Sequence, residues 1–167
     1  MVGDPSGRDQ TRARLTAEAP TVDLDSTEIE VFGRAKGGVA YNYLGQLAGR
    51  VLLGSWAEAG VALAADTMAG DDDPRPAAPD VALAAIAALP PGLKSPRLRM
   101  DSGFFDCKII EAAIDAGAAV AVAAPRNSAV VRAWEAISDA DWQPARGMRD
   151  AEVAEGDGEH GHRSGHV

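Results

Sequence analysis

Two apolar runs, RVLLGSW at Arg50–Trp56 and VALAADT at Val61–Thr67, stand on either side of the short turn EAG at Glu58–Gly60. That spacing is a hairpin signal, and it commits the first half of the chain to an antiparallel arrangement. An earlier run, TVDLDSTEIEVFG at Thr21–Gly33, is also built like a strand. Val22 and Leu24 share one face, whereas Ile29 and Val31 have the opposite parity. The strand is therefore either buried on both faces or interrupted by a bulge near Ser26 and Thr27. Between these runs Gly33, Gly37, Gly38, Gly45 and Gly49 punctuate a loop or an irregular hairpin.

Beyond the hairpin the period changes. DDDPRPAAPDVALAAIAALPPG turns helical after its prolines, with Val81, Ala85 and Leu89 in one stripe beside Ile86, and Pro90, Pro91 and Gly92 end it. RLRMDS alternates Leu98 and Met100 against Arg97, Arg99 and Asp101 as a strand. A second helix is expected to set Cys107, Ile110 and Ile114 on one side and to stop at Gly117. AAVAVAAP reads as a short buried strand. Asn127 is an N-cap for a third helix, NSAVVRAWEAIS, whose Val130, Trp134 and Ile137 face inward. The order β-β-β-α-β-α-β-α describes an α/β fold without internal repeats. Residues 1–20 read as a loose lead-in, 21–149 as the folded part, and 150–167 as a disordered tail.

Composition narrows the function classes. The 167 residues, 46% hydrophobic, suffice for one domain with a proper core. The longest apolar run, Ala118–Pro125, is far short of the roughly 20 residues a membrane helix needs. The polar start MVGDPSGRDQ lacks a signal-peptide core, so the expected compartment is the cytoplasm. The single cysteine, Cys107, excludes an internal disulfide and reads as a small core residue. A formal charge of −9 argues against free-standing nucleic-acid binding. Much of that charge sits in the tail, however, and the pairs Arg34/Lys36, Arg97/Arg99 and Arg146/Arg149 are either phosphate contacts or solvated surface.

Asp23 and Asp25 lie inside a strand pattern, where an unpaired buried charge costs several kcal/mol or is neutralised by protonation. They call for a partner, and a cation is the natural one; the alternative is that they are turn or cap residues at a strand end. Three strands joined by short turns form a meander, and a helical crossover then returns the chain to a fourth strand, which prefers a parallel neighbour. With that fourth strand beside the first, Asp101 comes near Asp25. Two such carboxylates suit a hard divalent cation, Mg²⁺ or Mn²⁺. Asp71–Asp73 read as a cap favoured by the dipole of the following helix rather than as ligands. His160, His162 and His166 sit in a glycine-rich acidic tail, either as chelators or as disordered polar residues. Trp56, Trp134 and Trp142 read as packing residues.

Taken together, DLDSTEIEVFG, GVAYNYLGQ, AGDDDPRP and RMDSGFF resemble the DDE transposases of bacterial insertion sequences (DDE domain group 1), which have a ribonuclease-H-like core. The resemblance covers roughly Val22 to Glu155. It implies that Asp25, in the DST motif, is the first catalytic and metal-binding acid and that Asp101, closing the later strand, is the second. It further implies Mg²⁺ or Mn²⁺ as cofactor and the DNA of insertion-sequence ends as partner. The role of Asp23 is not fixed by the family pattern. The family completes its triad with a glutamate on a helix beyond the last strand, and no residue here matches it, since Glu111, Glu135, Glu152 and Glu155 lie too early. The strand-two motif also differs, as LAGRVLL, and Asp71 stands where the family usually has Asn. The family's N-terminal DNA-binding region has no counterpart either, and GDGEHGHRSGHV reads like a shifted reading frame. The expectation is therefore a truncated transposase domain that is inactive alone.

Two other readings belong to different classes. Asp23-Leu24-Asp25-Ser26-Thr27 fits the D-x-D-x-T pattern of haloacid-dehalogenase-like phosphatases, with Asp23 as nucleophile and Asp25 as general acid. The strand-like EIEVFG that follows, and the meander, oppose it. A non-catalytic remnant with weak metal affinity is the third.

Overall fold

The computed structural model describes residues 19–33, 36–146 and 148–156. The expected sites at Arg34 and at His160, His162 and His166 lie outside them. The chain divides into two compact units, one through Ala123 and one from Ala124. The first is α/β, with β1 (Thr21–Glu30), β2 (Ala40–Tyr41), β3 (Leu47–Trp56), β4 (Val61–Ala69), α1 (Ala78–Ala87), β5 (Arg97–Met100), α2 (Cys107–Asp115) and β6 (Ala119–Val122). The second carries α3 (Ser128–Glu135) and the small ladder of β7 (Gln143–Pro144) with β8 (Glu152–Val153). The two-residue strands β2, β7 and β8 are additions to the order expected from the sequence, and β8 falls inside the segment expected to be a tail.

The sheet is mixed. β1 pairs antiparallel with β3 and parallel with β5, and β5 pairs parallel with β6. The remaining edge of β3 is shared, with Leu47–Ala48 taken by β2 and Gly49–Trp56 by β4. The chain thus builds outward from β1 on one side and then crosses to the other, which makes the β1/β5 boundary a topological switch point.

One sheet face is closed. Val22, Leu24, Leu52, Leu98 and Met100 meet Ala78, Val81, Ala82 and Ala85 of α1 and Ile109 and Ala113 of α2 in a single cluster. Burying each of the larger side chains is worth roughly 1.5–3 kcal/mol. The helix stripe of Val81 and Ala85, with Ile86 and Leu89 against its margin, has the expected phase. Contact is close because Gly54 lies beneath α1: a Cβ there would come within 2.6 Å of the Ala85 Cβ.

Several expectations are overturned. The register of β1 against β3 is unbroken from Val22 to Glu30, so no bulge lies at Ser26 and Thr27; the irregularity is between β3 and β4, at Gly54/Ser55. Ile29 points away from the helix-covered face and is 53% exposed. Its opposite parity arises because β1 outruns the core, where Glu28 and Arg50, not apolar residues, occupy the helix-side positions. In α2 the buried pair is Ile109 and Ala113, Ile114 is 55% exposed, and Cys107 is exposed at the helix start. β6 alternates exposed and half-buried residues because it is an edge strand, not a buried one. Asp71–Asp73 do not cap α1, whose N-cap is Ala77 without a side-chain bond. Instead Asp72 accepts the Ala69 N–H and Asp73 pairs with Arg75, closing the turn after β4. Pro20, at the end of the expected lead-in, is fully buried, and its carbonyl accepts from the Arg97 N–H.

In the second unit Asn127 caps α3 as expected, accepting from the Ala129 and Val130 N–H groups. No residue of α3 is fully buried, and Trp134, expected to face inward, is 58% exposed. No helix among the described residues is long and apolar enough to cross a membrane.

Candidate metal centre

Leu24 of β1 and Met100 of β5 are register partners, so Asp25 and Asp101 are the next residues on two adjacent parallel strands. Such strands run about 4.8 Å apart. Side chains alternate along a strand, so both carboxylates leave on the face opposite Leu24 and Met100, where neither α1 nor α2 packs. β5 ends here while β1 continues, which leaves both acids solvent-exposed at the switch point.

Local backbone orients both. Asp25 Oδ1 accepts from the Ser26 N–H at 2.7 Å. Asp101 caps the single 3-10 turn Ser102–Phe104, its Oδ1 accepting from the Gly103 N–H at 2.9 Å. The second oxygen of each has no hydrogen-bond partner among the described residues. Asp101 thus owes its position to the abrupt change from β5 into the turn, and Asp106, five residues on, caps α2 in the same way through the Lys108 N–H.

Asp23 is placed differently. It is the register partner of Arg99, and the guanidinium holds both of its oxygens, Nε on Oδ1 at 2.5 Å and Nη2 on Oδ2 at 2.7 Å. The carboxylate in turn raises the already high pKa of Arg99 through that hydrogen bond and its charge. The partner sought for the strand carboxylates is therefore, for Asp23, an arginine. The premise of burial also fails, because Asp25 is exposed and Asp23 only half-buried. A carboxylate whose lone pairs face a guanidinium is a poor nucleophile, which counts against Asp23 attacking phosphate. Arg99 is likewise committed and not a spare phosphate contact. The Arg97 Nη2 donates to the Ala19 carbonyl.

A second polar cluster went unseen in the sequence. Asn42, 8% exposed, accepts from the Leu44 and Gln46 N–H groups and donates to Glu28 Oε2. Arg50 pairs with Glu28 Oε1 and donates to the Asp72 and Gly70 carbonyls. The hydrogen bond from Asn42, then that from Arg50, holds the Glu28 carboxyl below its ordinary 4.5. This cluster ties the β2–β3 hairpin to the β4–α1 turn and is structural. The signal for it was Glu28 and Arg50 standing at core-parity positions.

Among the described residues no group of three or more His, Cys, Asp and Glu side chains is arranged to hold a metal ion. Asp25 and Asp101 are thus a pair without a third ligand. No protein-family model, no curated protein and no solved structure matches this chain.

Proposed function

We propose that this chain carries part of the catalytic domain of a DDE-type DNA transposase with a ribonuclease-H-like core, in which Asp25 and Asp101 are two of the metal-holding acids. The observation that carries the reading is the juxtaposition of these two residues, 76 positions apart in sequence, one step beyond the Leu24/Met100 register pair. The β1–β3–β4 meander followed by helical crossovers to β5 and β6 supports it, being the arrangement that core calls for. DNA of insertion-sequence ends is the corresponding partner.

Asp25 and Asp101 fit Mg²⁺ or Mn²⁺ as a partial ligand set: both are hard oxygen donors, both are exposed, and each has an oxygen to spare. Mg²⁺ keeps several waters and is commonly held by one or two carboxylates plus substrate phosphate. Bound there, the ion supplies charge stabilisation on phosphodiester oxygens and a more acidic water. Asp25 and Asp101 supply the negative charge that localises it, while Asp23, held by Arg99, keeps its own charge out of the site.

Titration with Mn²⁺, read by paramagnetic broadening of backbone amides, tests the reading. Broadening should centre on Ser26 and Gly103 with weak affinity. Asp25→Asn or Asp101→Asn should weaken binding by at least about tenfold, the loss that even an outer-shell partner of a metal ligand carries, and Asp23→Asn should weaken it less, through the unbalanced charge of Arg99 alone. Broadening centred elsewhere, or insensitive to Asp25 and Asp101, would overturn it.

A further inference from the structure

The second unit carries an open, solvent-facing pocket of about 710 Å³ lined, among the described residues, by Trp134, Glu135, Ile137, Asp139, Trp142 and Glu152, whose three acids are all exposed. Two of its walls are the indoles of Trp134 and Trp142, whose ring centroids are 6.4 Å apart at an interplanar angle of 81°. Rings in this edge-to-face arrangement form a corner in which a ligand lies against an indole face. The rest of the lining is an apolar side chain, Ile137, and three carboxylates from separate segments. Glu135 is the last residue of α3, Asp139 opens the 3-10 turn Asp139–Asp141, and Glu152 opens β8.

Two features of this lining share one sign. Among the described residues no lysine or arginine lines the pocket, and the ion pairs Arg50–Glu28, Arg75–Asp73 and Arg99–Asp23 do not involve its three acids. An indole face attracts a cation through its quadrupole, most strongly for tryptophan. A metal ion would use the carboxylates but gain nothing from the two indoles and Ile137. An anion would be repelled, and a neutral apolar ligand would gain nothing from three carboxylates. An alkylated ammonium or a guanidinium uses both, presenting a soft apolar surface to the rings and a charge to the acids.

We propose that this pocket is a binding site for an organic cation, an alkylammonium or guanidinium head seated against the Trp134/Trp142 corner and countered by Glu135, Asp139 and Glu152. The site lies wholly within the second unit, needs none of the residues assigned to the metal pair, and stands or falls separately from the transposase reading. The head group comes either from a free amine or from a side chain of a basic peptide.

The test uses the full chain, following the indole N–H resonances of Trp134 and Trp142 by nuclear magnetic resonance. Choline, arginine methyl ester and 3,3-dimethylbutanol, the uncharged isostere of choline, are the probes. Choline or arginine methyl ester should shift both resonances saturably, and the isostere should bind at least about fivefold more weakly, as loss of a cation–π contact implies. The stronger of the two cationic probes distinguishes an alkylammonium head from a guanidinium one. Because Trp134 and Trp142 pack against each other and also report the binding, the acids are the better variants. The triple change Glu135→Gln, Asp139→Asn, Glu152→Gln should leave the spectrum folded and reduce affinity about tenfold, whereas Trp56, in the other unit, should not respond. Equal shifts from the uncharged isostere, no saturation by either cation, or undiminished affinity in a folded triple variant would each overturn the proposal.

Discussion

At the scale of single residues, the network around Glu28 shows how a charged pair is used where the core runs out. β1 extends past the last apolar helix contact, and its next helix-side position is a glutamate opposite an arginine on β3. Glu28 answers Asn42 and Arg50 at once, and Asn42 in turn closes the β2–β3 turn. Because the folded-state pKa of Glu28 lies below its ordinary 4.5, its stabilisation is fully present above that value and is lost as pH falls through the lower folded value. Glu58 behaves in the same sense: burial pushes its pKa up, but hydrogen bonding to Thr21 outweighs this and the net shift is downward. Glu28→Gln should therefore lower the melting temperature at neutral pH, with the gap to the parent narrowing as the pH is taken below 4.5, measured by thermal denaturation across pH. Asn42→Ala should cost about 1–3 kcal/mol at neutral pH, since the Leu44 and Gln46 N–H groups lose a shared acceptor and the Glu28 carboxylate loses a donor, and the cost should shrink as the pH is taken below 4.5.

At the scale of elements, two glycines mark where backbones come closest, and they differ in kind. At Gly54 the obstacle to a side chain is the Ala85 Cβ of α1, whereas at Gly70 it is backbone: the Ala48 carbonyl oxygen at 2.7 Å and that of Ala40 at 2.9 Å. Gly54→Ala should destabilise by about 1–3 kcal/mol through overpacking. Adding Ala85→Gly should recover part of that, net of the roughly 1 kcal/mol that glycine costs within a helix. Gly70→Ala has no such partner to trim, so no side-chain change should rescue it; chemical denaturation of the single and double variants is the measurement. The same elements show what the sequence could reveal. The meander and the Asp25/Asp101 neighbourhood were legible because a period of two and short turns leave little freedom of register. The buried face of α2 was not. Ile109, Ile110, Ala113 and Ile114 offer two stripes at the same spacing, and the helix buries the one with Ala113, whose small side chain suits the alanine-rich surface of α1. The Arg99 partner of Asp23 was hidden for another reason, since it depends on which strand lies beside β1 and in what register.

At the scale of the whole molecule, the first unit's sheet has two unlike faces. The helix-covered side carries the core. The other carries Asp23, Arg99, Asp25 and Asp101 around the end of β5, then Leu53 and Val51 of β3 and Ile29 of β1 farther along. A phosphodiester approaching this face would meet two free carboxylates and one neutralised pair. Phosphoryl transfer depends mainly on how much positive charge is fixed around the reacting phosphate. Two carboxylates hold a divalent ion only loosely, and the third acid called for by the resemblance has no counterpart in these 167 residues. Supercoiled plasmid incubated with the purified chain in Mn²⁺ should accordingly stay intact, even where Mn²⁺ itself binds at Asp25 and Asp101. Nicking abolished by Asp25→Asn would show that two acids suffice. Release of p-nitrophenol from p-nitrophenyl phosphate, dependent on Mg²⁺ and abolished by Asp23→Asn, would instead assign Asp23 the nucleophile's role despite its bidentate arginine, and would replace the transposase reading with a phosphatase one.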